Sequence, residues 1–259
     1  MRGFFRRAGV RFGILGIGAY LVFLVVNLPA SWAGLVLERA SRGALVLGET
    51  QGTAWTGRGV LGLRSAGTYR RLADLQWSCN PLGALGGRLT VAISGTGGDA
   101  QLRAGISLGR AGASFQNVDV TAPAAIAEQV FAAAAFAKPE GRLRLQADSL
   151  EIGGGRVHGA ATVEWLDAGL GGFQATRLGD YRLQLTASGE RADLRLATPR
   201  GDLRLNGQGE WRAAQPRLLH LRGTVEAAAE RKDLEQLMRA LGLGSAGIPQ
   251  PFAWSVPLG

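Results

Sequence analysis

Leucine and arginine alternate residue by residue through Arg142-Leu143-Arg144-Leu145-Gln146-Ala147, and this period of two limits what the chain can fold into. In an extended strand successive side chains point to opposite faces, so Leu and Ala share one side while Arg and Gln take the other. The same alternation returns at 181–187, 193–197, 202–206 and 218–222. Between these runs stand Gly- or Pro-containing segments that read as turns: Ser188-Gly189-Glu190, Thr198-Pro199-Arg200-Gly201 and Asn206-Gly207-Gln208-Gly209. Antiparallel hairpins follow from that spacing. Gln76-Trp77, Glu164-Trp165 and Glu210-Trp211 each place a polar residue and Trp at or near a strand end, as a serial meander would.

Only two stretches read as helix. One is the alanine-rich segment 124–137, opened by Pro123; the other is 227–241, with Leu234, Leu237, Met238 and Leu241 at helical spacing before Gly242. Leu143, Leu145, Leu183, Leu185, Leu194, Leu196, Leu203 and Leu205 all fall on one face, and two helices are too few to cover it. Such a sheet must curl on itself, pack a second sheet, or hold an apolar ligand such as lipid acyl chains. The expected fold is therefore mainly β: a single N-terminal transmembrane helix, then a curved antiparallel sheet of many short strands with two short helices.

The transmembrane expectation rests on residues 12–37, which carry no charge. Residues 12–28 are almost wholly apolar and would make a helix ~25 Å long, nearly a bilayer span. Ser31-Trp32-Ala33 offers a small-x-small signal-peptidase site. However, the apolar run exceeds the usual ~7–15 residues of a signal peptide and bulky Trp32 sits inside the site, so a retained anchor is the favoured reading. Arg2, Arg6, Arg7 and Arg11 precede the segment, which keeps the N-terminus in the cytoplasm. The resulting division is a basic cytoplasmic tail at 1–11, a transmembrane helix at 12–28 and a periplasmic β-rich domain at 29–259, in the inner membrane of a bacterium. Glycines 9, 13, 16 and 18 would let a partner helix approach, although small residues are common in any membrane helix.

The net charge of +9 could suggest nucleic acid as a partner. Yet only Lys138 and Lys232 are lysines, and the arginines accompany 40 glycines, a usage that a GC-rich genome produces without selection for binding. The basic residues are dispersed, and no aromatic stacking motif goes with them, which argues against nucleic acid. Cys79 is the single cysteine, so an internal disulfide framework is excluded and a thiolate metal cage is out of reach.

Chemistry has few footholds. Gly105-Ile106-Ser107-Leu108-Gly109 fits the G-x-S-x-G elbow, which requires a strand, a sharp turn and a helix. Both flanks, 100–108 and 113–120, read as strands instead. His158 and His220 are the only histidines and lack further ligands at coherent spacing. Asp148 with Glu151, and Asp193 with Asp202, lie in alternating strands or turns, where charge makes a solvated face. Gly153-Gly154-Gly155 precedes a strand, so it cannot act as a phosphate loop. No catalytic, cofactor or metal residue is expected, and the Trp residues read as core packing or strand-end placement ahead of interface anchors.

After the anchor the chain resembles protein N of the type II (general) secretion pathway. Three features carry the resemblance: Gly52-Thr53-Ala54-Trp55-Thr56-Gly57; Leu75-Gln76-Trp77 leading to Pro81-Leu82 and Gly87-Arg88-Leu89; and Gly223-Thr224-Val225 followed by the helix with Leu234, Leu237 and Leu241. Gly52, Thr53, Trp55, Gly57, Trp77 and Pro81 are the motif residues, structural in role. Ala54 stands where a larger apolar residue is expected. The resemblance implies an inner-membrane accessory subunit of a machine that exports folded proteins, whose periplasmic domain contacts other inner-membrane and periplasmic subunits. Such proteins are also similar to AsmA-type periplasmic β-proteins, which implies the alternative of a lipid-binding or lipid-transfer module with an apolar groove. It supplies no catalytic residue and no cofactor.

Overall fold

A computed structural model of the chain describes residues 16–17, 20, 22–65, 68–98, 100–130, 132–173, 175–212, 218–228, 231–240, 242 and 247–257. The elements are α1 (Ser31–Ala40), β1 (Leu45–Gly52), β2 (Thr56–Ser65), β3 (Thr68–Asn80), α2 (Pro81–Leu85), β4 (Arg88–Gly97), β5 (Ala100–Gly109) and β6 (Gly112–Pro123). They continue with a 3₁₀ turn (Ala124–Ile126), α3 (Ala127–Val130), α4 (Ala132–Ala137), β7 (Pro139–Gly153), β8 (Arg156–Leu170) and a second 3₁₀ turn (Gly171–Phe173). β9 (Ala175–Gly189), β10 (Arg191–Gly201), β11 (Leu203–Arg212), β12 (Leu218–Ala227), α5 (Lys232–Ala240) and β13 (Gln250–Pro257) complete the order.

All thirteen strands form one antiparallel sheet in strict chain order, β1 to β13, the serial meander that the alternation predicts. The sheet is open: β1 and β13 are its two edges. Cα atoms of β9 and β11 come within 8 Å of each other, less than two interstrand spacings of ~4.8 Å, so the sheet is bent there. The strands are not short: β7, β8 and β9 have 15 residues each. Helices also exceed the expected two. α1 and α2 escape a reading based on periodicity, since α1 is apolar on most sides and α2 is only 5 residues long.

Two expected turns lie inside strands. Thr198-Pro199-Arg200-Gly201 completes β10, with the register against β9 shifting between Ala197 and Arg200 to accommodate the proline. Thr198 Oγ1 donates to the Leu205 carbonyl (3.0 Å) and accepts from the Leu205 amide (2.6 Å), supplying bonds that the interrupted ladder would otherwise lack. Asn206-Gly207-Gln208-Gly209 runs within β11, where Gly207 lies opposite Gly223. A Cβ on Gly223 would run into the Asn206 carbonyl oxygen, so glycine here serves close backbone approach. The segment 124–137 breaks into a 3₁₀ turn and two short helices. The C-terminal helix begins at Lys232 because residues up to Ala227 belong to β12.

Much of the expected transmembrane segment lies outside the described residues. Within it, residues 22–26 are helical, with Val22, Phe23, Leu24, Val25 and Val26 exposed. No helix among the described residues is long and apolar enough to cross a membrane.

The pleat separates the faces as the alternation requires. Across β3 to β13, Leu75, Gly95, Leu102, Val120, Leu145, Val163, Leu183, Leu196, Gly207, Gly223 and Phe252 are successive register partners on the apolar face. α5 covers the C-terminal end of this face with Leu234, Leu237 and Met238, each at most 1 % exposed, against Leu194, Leu203, Leu221 and Val225. At the other end α1 packs beside β1, and Ala30, Leu61, Leu63, Leu72, Leu75 and Trp77 form a second core. Tyr181, buried in the first core, donates its hydroxyl to the Leu203 carbonyl (2.9 Å), and burial pushes its ionisation well up.

Arg231 clasps the start of α5, donating to Asp202 (2.7 Å) and to both carboxylate oxygens of Asp233 (2.9 and 2.6 Å). That hydrogen bonding holds the Asp233 carboxyl below its ordinary range. A carboxyl depressed in the folded state contributes stability above the unfolded value of ~3.9 and loses it as pH falls through the folded value. Asp233→Asn should therefore cost at most about 1 kcal/mol near neutrality and flatten the acid limb of the stability curve below about pH 4, read by urea midpoints across pH. Leu237→Ala should cost about 2–5 kcal/mol in the same assay, against less than about 1 kcal/mol for Leu145→Ala, whose side chain keeps 38 % exposure.

Candidate functional site

The motif residues converge on one corner of the sheet. Thr53 Oγ1 accepts from the Trp55 amide (3.3 Å) and the Thr56 amide (3.1 Å), closing a tight turn between β1 and β2. The turn grips the chain that precedes α1. The Ala54 amide donates to the Leu28 carbonyl (2.8 Å), the Ala30 amide to the Gly52 carbonyl (3.3 Å), and Pro29 bridges Thr53. Trp55 Nε1 donates to the Val25 carbonyl (2.7 Å), thirty residues back, in the last turn of the apolar helical stretch. On the sheet side, Trp77 Nε1 donates to the Ala54 carbonyl (3.1 Å) and the Cys79 amide to the Trp55 carbonyl (2.6 Å).

Gly57 lies opposite Trp77, and a Cβ at that position would overlap the indole ring. Pro81 opens α2 at the first helical position, while Asn80 Oδ1 accepts from the Leu82 amide (3.0 Å). Both bonds that Ala54 makes are backbone bonds, so its small side chain leaves the knot intact. The six motif residues thus fasten the end of the apolar segment to the first three strands. They form no reacting constellation.

Between the two covered ends the apolar face is covered only in part: Val157 and Ala187 are buried in a third, smaller core with Ala192, while larger side chains beside them stay exposed. Leu108, Leu145, Ile152 and Val163, on β5, β7 and β8, retain 45, 38, 43 and 36 % exposure. Leu145 and Val163 are direct register partners, and Ile152 pairs with Val157 on the same face. The surface therefore continues the core without a break.

The opposite face is an unbroken polar ladder. Gln51, Arg58, Gln76, Ser94, Arg103, Asp119, Gln146, Thr162, Gln184, Arg195, Gln208 and Arg222 are successive partners from β1 to β12. In its middle, Arg144 grips both oxygens of Asp119 (3.1 and 2.9 Å), holding that carboxyl below its usual range, and Arg182 pairs with Glu164 (2.8 Å). A groove of about 1190 Å³ crosses β9 to β12 on this face, over Arg195, Asn206, Gln208 and Arg222.

Ser107 and His158 also lie on the polar face, in the register row Thr90, Ser107, Ser114, Glu151, His158, Ser188. Two strands separate Ser107 from His158, and Glu151 stands next to the histidine on the serine side, so the histidine cannot reach the hydroxyl as a base. Ser107 Oγ instead lies 3.3 Å from Thr90 Oγ1. His220 Nδ1 lies 3.1 Å from Ser255 Oγ on the edge strand. Glu210, its partner on the other side, is held by Arg212 (2.7 Å), which lowers its pKa. Among the described residues no group of three or more His, Cys, Asp or Glu is placed to hold a metal ion. Cys79 is half-buried, and burial pushes its thiol up, away from the reactive thiolate.

Gly57→Ala should cost about 1–3 kcal/mol by forcing the indole aside. Trp77→Phe, which removes the ring atoms in the way, should recover much of that loss, so a double-mutant cycle by urea denaturation should be strongly non-additive. Additive losses would contradict the packing described.

No curated protein and no solved structure matches the chain. A family profile described as Type II secretion system (T2SS), protein N matches residues 43–248, which takes in the sheet from just before β1 through α5. With most of the chain matched, including the knot of Gly52, Thr53, Trp55, Gly57, Trp77 and Pro81, the chain belongs to the type II secretion system protein N family.

Proposed function

We propose that the chain is a non-enzymatic, single-pass inner-membrane subunit of the type II secretion machine. Residues 12–28 anchor it with the N-terminus in the cytoplasm, and the sheet stands in the periplasm as a contact surface for other subunits during export. The observation that carries this reading, beyond family membership, is the uncovered apolar strip over β5 to β8. Leu145 and Val163 pair with each other and Ile152 pairs with buried Val157, yet these three and Leu108 keep 36–45 % exposure. Contiguous apolar surface of this kind marks an interaction site.

Partners meet the sheet on its face. β1 is flanked by α1, and β13 carries Pro251 and Pro257, which have no amide hydrogen to offer an added strand.

The same strip supports a second reading, the lipid-binding or lipid-transfer module similar to AsmA-type proteins. Its side chains are aliphatic, as an acyl chain requires. Copurification from native membranes separates the two: secretion subunits retained by the wild type and lost from Leu145→Arg favour the subunit reading, whereas lipid enrichment sensitive to the same change favours the groove.

Burial decides how arginine is tolerated. Leu203→Arg, at a site 7 % exposed, should unfold the domain, because an unpaired charge would be trapped beneath α5. Leu145→Arg and Val163→Arg should leave the unfolding midpoint within about 1 kcal/mol of wild type, yet abolish secretion in a complementation assay. Normal secretion by both stable variants would remove the strip from the functional account.

A further inference from the structure

α1 has two apolar sides, and the sheet uses only one. Ala33, Gly34 and Leu37 face the sheet, where Gly34 is buried and a Cβ added to it would press on the Leu47 carbonyl of β1. On the opposite side of the helix Trp32, Leu35 and Val36 are 51, 38 and 64 % exposed. A helix that is apolar nearly all round is buried on all sides in its working environment. The outer side of α1 therefore calls for an occupant, and the described residues do not supply one.

We propose that this occupant is the lipid headgroup boundary, and that α1 is an interfacial helix seating the sheet against the membrane. The inference rests on the anchoring of residues 12–28 and adds to it the position and tilt of the domain. Continuity comes first. Exposed apolar side chains run from Val22 through Val26, and α1 begins five residues after Val26, a reach of at most ~18 Å.

Rigidity comes second. The bonds from Trp55 Nε1 to Val25, from Ala54 to Leu28 and from Ala30 to Gly52 tie the intervening chain to the β1–β2 turn. Where the apolar stretch leaves the bilayer, the knot must follow, and α1 starts there. Chemistry comes third. Trp32 is an amphipathic ring of the kind that favours the interface, next to aliphatic Leu35 and Val36. Arg39 in the last turn and Arg42 beyond it are exposed and make no ion pair among the described residues, so both can meet anionic headgroups. Glu38, the one acid of the helix, is held by Arg64 (3.2 Å) away from that role. A protein partner would fit the apolar side chains as well, but it would not account for the direct continuation from the apolar stretch.

The test places a single fluorescent label at one of three sites in the full-length, Cys79→Ser protein reconstituted into vesicles of phosphatidylethanolamine and phosphatidylglycerol. The sites are Phe23→Cys in the anchor, Val36→Cys on α1 and Arg195→Cys on the polar face. Interfacial seating predicts that labels at 23 and 36 are both quenched by nitroxide-bearing lipid and protected from aqueous iodide, while the label at 195 behaves in the opposite way. A label at 36 as open to iodide as that at 195, with 23 still in lipid, overturns the seating and leaves the anchor standing. A label at 36 shielded from both quenchers overturns the lipid occupant in favour of a protein one. A label at 23 open to iodide overturns the anchor itself, and the seating with it.

Discussion

A single alternation, kept in phase across thirteen strands, is what the rest of the molecule depends on. From Leu75 to Phe252 the apolar partners meet strand after strand, and from Gln51 to Arg222 the polar partners do the same on the other side. A slip of one residue anywhere would transfer a strand's leucines to the ladder of arginines and amides. The bulges between Ala197 and Arg200 and between Arg103 and Gly105 reset the register locally, so bends are absorbed without exchanging the faces. Because one face is consistently apolar, two small helices suffice to bury its ends, and in the centre Leu108, Leu145, Ile152 and Val163 stay partly exposed.

The knot at the first corner links that sheet to whatever holds the N-terminus. Its bonds are mostly to backbone, and the side chains that matter are a hydroxyl, two indole N–H groups and a glycine, Gly57, that leaves room for an indole. In this chain several of these positions answer a steric or hydrogen-bonding demand: a Cβ on Gly57 would overlap the Trp77 indole, and the Thr53 hydroxyl closes the turn. Ala54 illustrates the converse, since both its bonds run through the main chain and its side chain is free to vary.

Alternation made the strands and the common face of Leu143 through Leu205 legible, because a pleat has no other way to sort such a pattern. Glycine and proline were harder to interpret. At Gly154-Gly155 they mark a hairpin, but at Pro199 and Gly207 they mark a register shift and a close approach inside long strands. Composition alone does not separate those uses, because the neighbour that decides them lies on another strand. α1 was invisible as an element of the domain, since a helix apolar on both sides has no period to detect. The motif residues were legible as a group, whereas their reason, bonds to Val25 and Leu28, depends on contacts about thirty residues apart. Ser107 drew attention through its glycine frame, and its strand setting removes the turn that would have exposed it as a nucleophile.

Strict chain order also bears on how the molecule is made. Each strand pairs with the one synthesised just before it, so no ladder waits for a distant strand, and the longest connections, β6–β7 and β12–β13, hold helices. A chain emerging N-terminus first can add strands to a growing template as they appear, with the knot at Gly52 to Gly57 as the starting point. Such vectorial growth would leave a reactive edge at every stage. On the edge strand β13, Pro251 and Pro257 lack amide hydrogens, and Phe252 and Trp254 stack on each other 4.1 Å apart along one face. The prolines of β13 thus remove two of the amides with which that edge could pair with a further strand.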